Sequence, residues 1–384
     1  MMFIWNKISS VLENNVINMD SLEIGVNGCE ILSEILMNCD YIQSLNLRSN
    51  SFFSQGLKTL IKPIFNTKQI IYIARDLKIL ELDFNKLGSK SMKYLRHLLK
   101  LTVNLEILSL NNNYIDASGV RQLINSLKGK SSLSYLSMSF NMLGIKGSFY
   151  LKEVLMTLTN LKELSLDSNN ISDEGFYYIV SALKENSIPL SKLSLSNNNL
   201  SVGCGEVFME FLANNQTLKS LWISNNNFSN KGYQYIASGL ANNFFLEELN
   251  LNSTECGPEE IEFLCEGLQN NKTLNKIFLN SNNIGDEGMK VLSSFLKVNH
   301  FVTYLYLANN NIGDTGATVL TEALIEHKNL IEFKINCNYI TDEGAKLILY
   351  ALLHNNNIQK FNIENNLTTW VESNLNLMNI KPFI

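Results

Sequence analysis

Paired carboxylates precede several predicted helices of the chain, at Asp173-Glu174, Asp286-Glu287 and Asp342-Glu343. Neighbouring carboxylates can act as general acid and base, or can bind calcium. Here the pairs recur at one edge of a repeating pattern instead of converging on one pocket. Because Ser, Thr and Asp cap helix starts, and because Asp and Glu suit the positive end of the helix dipole, the pattern indicates helix capping.

The cysteines and histidines show no catalytic or metal-ligand spacing. The six cysteines include no CxxC pair, which favours thiols in a reducing compartment. Four histidines fall in the helical or helix-end halves of distant repeats, and we predict that they lie at the surface: His97, His300, His327 and His354. The sequence also lacks a Gly-rich phosphate loop, a nucleophile elbow and an HExxH motif. We therefore predict no catalytic residue, no metal site and no cofactor.

The composition is that of a folded protein rather than of a disordered one. The hydrophobic fraction is 45%, the charged fraction is 17% and the net charge is −5. The absence of a dense Lys/Arg cluster argues against nucleic-acid binding. No apolar run reaches the roughly 18 residues that a membrane span needs. The start, residues 1–7, is a poor signal peptide, so we expect a cytoplasmic protein.

An internal repeat organises almost the whole chain. Its template is Leu-x-x-Leu-x-Leu-x-x-Asn-x-Ile, as at residues 161–171. Successive template asparagines lie mostly 28 residues apart, with one interval of 29 and one of 35, and Thr254 occupies one such position. The asparagines are Asn50, Asn85, Asn113, Asn141, Asn169, Asn198, Asn226, Asn282, Asn310, Asn338 and Asn366. With a degenerate copy at residues 19–27, the pattern predicts thirteen repeats between about residues 16 and 368.

Each repeat changes its hydrophobic period halfway along. Leu164 and Leu166 have the spacing of a strand, whereas Leu151 and Leu155 have helical spacing. Each repeat is therefore predicted to be a strand, a loop and a helix, and the repeats must stack to bury their apolar faces. We predict a single domain, 1–384, with caps at 1–15 and 369–384 around repeats at 16–368. The extra residues of the long interval fall within 62–73. They would form either a second contact with a partner or a longer connection from helix to strand.

The consensus LxxLxLxxNxLxxxG with 28-residue repeats resembles the ribonuclease-inhibitor class of leucine-rich repeats. It is similar to the sensor arms of NOD-like receptors, to the Ran GTPase-activating protein and to bacterial leucine-rich-repeat effectors. The resemblance covers more than nine-tenths of the chain. It implies an α/β fold, a right-handed curved solenoid or horseshoe of about 12–13 repeats. Parallel strands would line the concave face and helices the convex face. It implies no particular partner.

The repeated asparagine has a structural interpretation. It follows the strand, where the chain turns and backbone groups lose their partners in the sheet. Its side chain both donates and accepts, so it can satisfy buried N–H and C=O groups of adjoining repeats. Thr254 supplies only a hydroxyl, and we expect its repeat to be locally weaker.

Positions three, five and seven of each repeat, counted from the first template leucine, are predicted to face the concave surface. We interpret them as free of any role in maintaining the fold, so that their side chains would indicate a partner site. Large rings with charged neighbours concentrate in the C-terminal half, as binding hot spots do, although aromatic residues also simply suit strands. The predicted partner-binding residues are Trp222, Phe278, Tyr304, Tyr306, Lys276, Glu332 and Lys334, with Phe278 beside Tyr306. A secondary patch comprises Ile79, Ile107 and Tyr135.

The function predicted from these observations is binding rather than catalysis. We expect a non-enzymatic, monomeric scaffold or inhibitor that binds a protein partner on its concave face. The resemblance to bacterial effectors also permits an effector that acts in the cytosol of a host cell. The alternative is a GTPase-activating protein of the Ran-activator type, but arginine is sparse and no pattern singles one out.

Overall fold

The computed structural model describes residues 12–13, 15–37, 39, 41–62 and 74–368. The chain divides into two compact units, Met1–Asn198 and Asn199–Ile384. Both units repeat the predicted succession of a short strand, a loop and a helix. The predicted caps, 1–15 and 369–384, and the insertion, 62–73, fall almost wholly outside the described residues. The caps, the insertion and the single-domain boundary therefore stay predictions.

In the first unit the strands are joined in chain order. The short β1 (Leu12–Glu13) pairs antiparallel with β2 (Val16–Asn18), and all later pairs are parallel. The other strands are β3 (Ser44–Asn46), β4 (Ile79–Glu81), β5 (Ile107–Ser109), β6 (Tyr135–Ser137), β7 (Glu163–Ser165) and β8 (Lys192–Ser194). The helices are α1 (Gly25–Met37), α2 (Phe53–Ile61), α3 (Met92–Leu101), α4 (Ala117–Leu127), α5 (Gly144–Leu155) and α6 (Ser172–Glu185), with a 3-10 turn at Ser89–Ser91.

The second unit is built in the same way, and its strands pair parallel in chain order. They are β9 (Ser220–Trp222), β10 (Glu248–Asn250), β11 (Lys276–Phe278), β12 (Tyr304–Tyr306), β13 (Glu332–Lys334) and β14 (Lys360–Asn362). The helices are α7 (Gly205–Asn214), α8 (Ser229–Ala241), α9 (Pro258–Leu268), α10 (Gly285–Val298), α11 (Asp314–Glu326) and α12 (Asp342–His354), with a 3-10 turn at Val202–Cys204. The described residues of the two units thus hold thirteen parallel repeat strands, and the predicted leucine-rich-repeat solenoid is confirmed.

The core lies between the strands and the helices of each unit. In β7 the side chain of Leu164 is buried, whereas Glu163 and Ser165 on either side are partly exposed. This alternation follows from the strand, where successive side chains point to opposite faces. α6 closes the same repeat with Phe176 and Ile179, both of which are fully buried.

The loop that follows each strand turns through left-handed backbone conformations. Around Asn169, for example, Ser168 has φ 53° and Asn170 has φ 54°. Short polar residues such as Asn tolerate this region better than bulky ones. The loop geometry therefore explains why Asn and Ser fill most of these positions.

The template asparagines form a ladder, called here the strand-end ladder. Nδ2 of Asn282 donates to the carbonyl oxygen of Leu251 at 2.9 Å, in the preceding repeat. Oδ1 of Asn282 accepts from the backbone N–H groups of Thr254 (2.9 Å) and Cys256 (3.0 Å). Most of the ladder residues are buried, and Asn366 is partly exposed. The predicted role of these residues is confirmed, since they satisfy backbone groups that adjoining loops leave unpaired.

A second set of side chains, the helix-end ladder, follows the helices and was not predicted. Nδ2 of Asn271 donates to the carbonyl oxygens of Asn243 (2.7 Å) and Leu240 (3.3 Å) in the preceding repeat. The same kind of bond is made by Asn186, Asn243, Asn299, His327 and Asn355. The sequence signal was available: Asn215, Asn243, Asn271 and Asn299 are 28 residues apart.

His327 belongs to this ladder, so the prediction that it lies at the surface is wrong. Its side chain is buried, and its Nδ1 accepts from the backbone N–H of Leu330 at 3.0 Å. Nε2 then carries the proton and donates to the carbonyl oxygen of Asn299 at 3.0 Å. Burial, and after it the charge of His300, lowers the pKa of His327 to about 4. The ring therefore acts as a neutral substitute for asparagine.

Two acidic residues near helix starts, Asp286 and Asp314, serve capping, but each caps the helix of the following repeat instead of its own. Oδ1 of Asp286 accepts from the backbone N–H groups of Gly313 (2.7 Å) and Gly316 (3.0 Å), at the start of α11. Asp314 does the same for Thr341 and Gly344 at the start of α12. Each of these carboxylates therefore links two successive repeats by hydrogen bonds.

Candidate partner-binding site

All seven predicted partner-binding residues lie on one face of the second unit. The β9–β14 register places Trp222, Phe278, Tyr306 and Lys334 in one row across the strands, with Asn250 between the first two. The neighbouring row contains Glu248, Lys276, Tyr304, Glu332 and Lys360. We call the two rows the strand face; they lie opposite the buried central residue of each strand.

The rings of Phe278 and Tyr306 stack on each other, with centroids 4.5 Å apart and planes inclined by 7°. Two cations lie beside the pair. Nζ of Lys276 is 4.9 Å from the Phe278 centroid, and Nζ of Lys334 is 5.1 Å from the Tyr306 centroid. A cation within about 6 Å of a ring face is attracted by the ring quadrupole. The predicted proximity of Phe278 and Tyr306 is confirmed.

Glu248 organises one end of the strand face, and the sequence analysis did not include it in the site. It accepts from Nε1 of Trp222, and its other oxygen lies 3.1 Å from Nζ of Lys276. Burial acts to raise the pKa of Glu248, but the bonds from Trp222 and Lys276 outweigh burial and the pKa is lowered. The sequence signal was its place in the same repeat position as Lys276, one repeat earlier, with the opposite charge.

Glu332 organises the other end. Its carboxylate lies 3.2 Å from Nζ of Lys334 and 3.7 Å from Nζ of Lys360. The residue is only 7% exposed, and Tyr306 beside it is 8% exposed. Burial, followed by a hydrogen bond with Glu332, raises the pKa of Tyr306 well above its ordinary value. Tyr306 is therefore a neutral and largely buried ring, held between Phe278 and Glu332.

An open depression of about 400 Å³ lies on the strand face. It is lined by aromatic rings, amide groups and one ammonium group, from Trp222, Asn250, Asn252, Phe278, Asn280, Tyr306, Ala308, Lys334 and Asn336. This combination offers apolar contact together with hydrogen-bond donors and acceptors. Rigid rings surrounded by polar groups are typical of protein-binding hot spots.

The interpretation that positions three, five and seven have no role in the fold is wrong. In the first unit, Oδ1 of Asp83 accepts from Oγ of Ser109 (2.7 Å) and from the backbone N–H of Asn111 (2.6 Å). In the second unit, Oδ1 of Asn252 accepts from the backbone N–H of Asn280 at 2.7 Å. These bonds join neighbouring strands because the rows of side chains are only one strand spacing apart. Part of the polar strand face is therefore structural.

The secondary patch lies in the first unit, on the corresponding face of its strands. Ile79 is paired with Ile107, and Ile107 with Tyr135, so the three side chains form a row. All three are partly exposed. Burial raises the pKa of Tyr135, so its hydroxyl stays protonated at neutral pH.

Within the described residues, no group of three or more His, Cys, Asp or Glu side chains is placed to hold a metal ion. Among the same residues, no helix has the length and apolar character needed to cross a bilayer.

Comparison with known proteins agrees with this architecture. A family model described as Leucine Rich repeat matches residues 157–180, 214–237, 270–293, 298–320 and 326–349. No curated protein matches the sequence significantly. An internalin (inlF) of Listeria monocytogenes is similar in structure, with a TM-score of 0.50 and 17% identity over 98% of this chain and 96% of that chain.

Two further structures are similar over a smaller part of this chain. Leiomodin-1 actin-binding site 2 has a TM-score of 0.33 and 19% identity, over 38% of this chain and 87% of that chain. The tropomodulin C-terminal domain of Caenorhabditis elegans has a TM-score of 0.34 and 18% identity, over 39% of this chain and 92% of that chain. Both scores are too low to support an argument. The chain thus contains leucine-rich repeats and shares the fold of the internalin.

Proposed function

We propose that the protein is a non-catalytic scaffold or inhibitor that binds a protein partner on the strand face of its second unit. The observation that carries this proposal is the depression between Trp222, the Phe278–Tyr306 stack and Lys334. Leucine-rich repeats commonly present extended binding surfaces of this kind. Rings already held in place by Glu248 and Glu332 would lose little side-chain entropy on binding, which favours affinity.

The repeat length and the strand–loop–helix unit support assignment to the ribonuclease-inhibitor class, and we propose that the protein is monomeric. The buried thiols support a reducing compartment such as the cytosol. Burial raises the pKa of Cys29 and of Cys265 to about 12, so that neither is a reactive thiolate. An effector role would place the protein in the cytosol of a host cell, and the composition of the repeats is its only support.

The alternative function, GTPase activation, has no comparable support. An arginine that stabilises a transition state must reach into the partner's site. Arg48 instead lies 3.3 Å from Asp83 and 3.7 Å from Glu81, and the guanidinium of Arg121 lies over the ring of Tyr150. We therefore propose binding alone.

A photo-crosslinking amino acid at position 308, where the side chain of Ala308 lines the depression, would test the proposal. Crosslinked proteins are identified by mass spectrometry and purified. Their affinity is then measured for the wild type and for the variants Trp222→Ala and Lys334→Ala. Truncation of a central hot spot costs about 2 kcal/mol or more, so we expect affinity to fall about thirtyfold for Trp222→Ala. The control Tyr177→Ala removes an exposed ring of α6 and should leave affinity unchanged.

Two outcomes would contradict the proposal. If both strand-face variants bind as tightly as the wild type, the partner docks elsewhere, and the row Ile79, Ile107 and Tyr135 is the next candidate. If affinity is lost only together with a large drop in melting temperature, the rings are structural. Stimulated hydrolysis by a GTPase, abolished by Arg48→Ala or Arg121→Ala, would favour the alternative.

A further inference from the structure

Four large apolar side chains lie exposed in the first unit, on the loops that follow strands β4 to β6. Phe84, Tyr114, Phe140 and Met142 are 45%, 52%, 56% and 50% exposed. They flank the strand-end ladder on its solvent side, directly before or after Asn85, Asn113 and Asn141. We call these four residues the loop-edge patch.

The backbone at three of these positions is unfavourable for the residues that occupy it. Phe84, Tyr114 and Phe140 have φ of 57°, 57° and 56°. Bulky residues rarely adopt this left-handed region, whereas Asn enters it readily. Positions equivalent to Phe84 and Phe140 hold short polar residues in other repeats, for example Asn112, Asn197 and Ser168. Positions equivalent to Tyr114 hold Asn170 and Asn199, but also Lys86 and Glu255.

Folding does not explain the choice of aromatic residues. A side chain that remains about half exposed gains less from burial than a core ring does, and the loop itself forms equally well around Asn or Ser. The aromatic residues thus oppose the local backbone preference without a compensating contribution to the core. Clustered, exposed apolar side chains of this kind mark interaction sites.

The charges beside the loop-edge patch indicate the chemistry of its partner. Lys86, Lys90 and Lys146 are exposed on the same loops and at the following helix starts. The first turns of α3, α4 and α5 contain no acidic residue, unlike those of α6, α9, α10 and α12. The nearby carboxylate of Asp116 is engaged by Ser89 and by the N-terminal N–H groups of α4.

We propose that the loop-edge patch is a second docking surface, for a protein segment that presents large apolar side chains flanked by Asp and Glu. The rings would receive the apolar anchors and the lysines would pair with the carboxylates. An anionic membrane is the less favoured occupant because the chain carries a net charge of −5 and would be repelled as a whole. A short acidic segment experiences mainly the local lysines.

The test is a selection of phage-displayed random peptides on the full-length protein, counter-selected against the double variant Phe84→Asn/Phe140→Asn. We expect the recovered peptides to be enriched in Phe, Leu or Trp and in Asp or Glu. A synthetic copy of a recovered peptide should bind at least tenfold more weakly to Phe140→Asn and several-fold more weakly to Lys146→Glu. Phe244→Asn, the same change at an exposed phenylalanine of the second unit, should not alter the affinity.

Melting temperature distinguishes a binding role from a structural one. The Asn variants should melt at the same temperature as the wild type or higher, because Asn suits the left-handed backbone. A clear decrease would mean that the rings stabilise the fold, and would overturn the proposal. It is also overturned if no recovered peptide distinguishes wild type from the double variant, or if the recovered peptides lack acidic residues. Tighter binding of phosphatidylserine vesicles by the wild type than by the double variant would assign the surface to a membrane.

Discussion

The hydroxyl oxygen of Tyr233 lies 2.5 Å from the hydroxyl oxygen of Thr254, and both groups are buried. Thr254 occupies the place of an asparagine in the strand-end ladder, and its hydroxyl can serve fewer partners than an amide. The phenol of Tyr233, which lies on α8, supplies an additional hydrogen-bond partner. The local weakness expected at Thr254 is therefore offset by the hydroxyl of Tyr233.

The bond between Tyr233 and Thr254 predicts that substitutions of the two residues have coupled effects on the free energy of unfolding. Tyr233→Phe should lower the free energy of unfolding by about 1 kcal/mol, since it removes one buried hydrogen bond. Thr254→Val should cost more, because it also removes the bond to the carbonyl oxygen of Leu251. Urea denaturation of the two variants and of the double variant should give a coupling of about 1 kcal/mol. Additive losses would mean that the two hydroxyls act independently; Tyr235→Phe, at a hydroxyl on the exterior of the same helix, is the control.

His327 predicts that acid destabilises the second unit. The folded ring has a pKa of about 4, below its ordinary value near 6.5, so the unfolded chain binds a proton that the folded chain does not. Stability is fully present above about pH 6.5 and falls as the pH decreases towards 4, by about 3 kcal/mol in total. His327→Asn installs the residue that neighbouring repeats use here and should remove this part of the pH dependence.

The measurement is urea denaturation of both proteins between pH 7.5 and pH 4.5. Because carboxylates also begin to titrate at the acidic end, the informative quantity is the difference between variant and wild type at each pH. A constant difference across the range would show that His327 does not titrate as its burial implies. His354→Asn, at an exposed histidine, provides the comparison.

Burial of Lys130 predicts a pH dependence of the same sign as that of His327, but in the alkaline range. Its ammonium group is buried against the carbonyl oxygen of Thr102 at 2.6 Å, and burial lowers its pKa to about 8. Between about pH 8 and 10.5 the unfolded chain keeps a proton that the folded chain has released, so stability should rise with pH, by about 3 kcal/mol. Lys130→Asn should be more stable than the wild type at pH 7 and should lack this rise. Equal stabilities and parallel pH profiles would contradict the prediction; Lys128→Asn, at an exposed neighbour, is the control.

The hydrogen bonds of Asp286 predict that this residue caps α11, the helix of the next repeat. Asp286→Ala leaves two N–H groups of the next helix start without their acceptor, at Gly313 and Gly316, and should lower stability by about 1 kcal/mol. Amide hydrogen exchange should accelerate at Gly316 more than within α10 itself. Glu287→Ala changes the adjacent exposed carboxylate and should have almost no effect. Equal effects of the two substitutions would indicate general electrostatics instead of capping.

The repeat pattern predicted the strands and the strand-end ladder because both depend on local spacing. Leu164 is buried and Asn282 is bonded as the template requires. The burial of Tyr306 could not be predicted, since it depends on a ring and a carboxylate from two other repeats. The helix-end ladder was visible in the sequence as a second series of asparagines 28 residues apart, but only the template asparagines were given a role. His327 was misjudged for the same reason, as its neighbours in that ladder had not been recognised.

Both ladders connect neighbouring repeats, for the most part at the same distance along the chain. Nδ2 of Asn282 and Nδ2 of Asn271 each reach a carbonyl oxygen 31 residues upstream. A gene rearrangement that adds or removes one whole 28-residue repeat would leave both of these connections with suitable partners. The single 29-residue interval shows that one extra residue between ladder positions is also accommodated, because Nδ2 of Asn198 still donates to the carbonyl oxygen of Leu166. Recombination between repeats can therefore add or remove whole repeats without new residues at the contacts between neighbours.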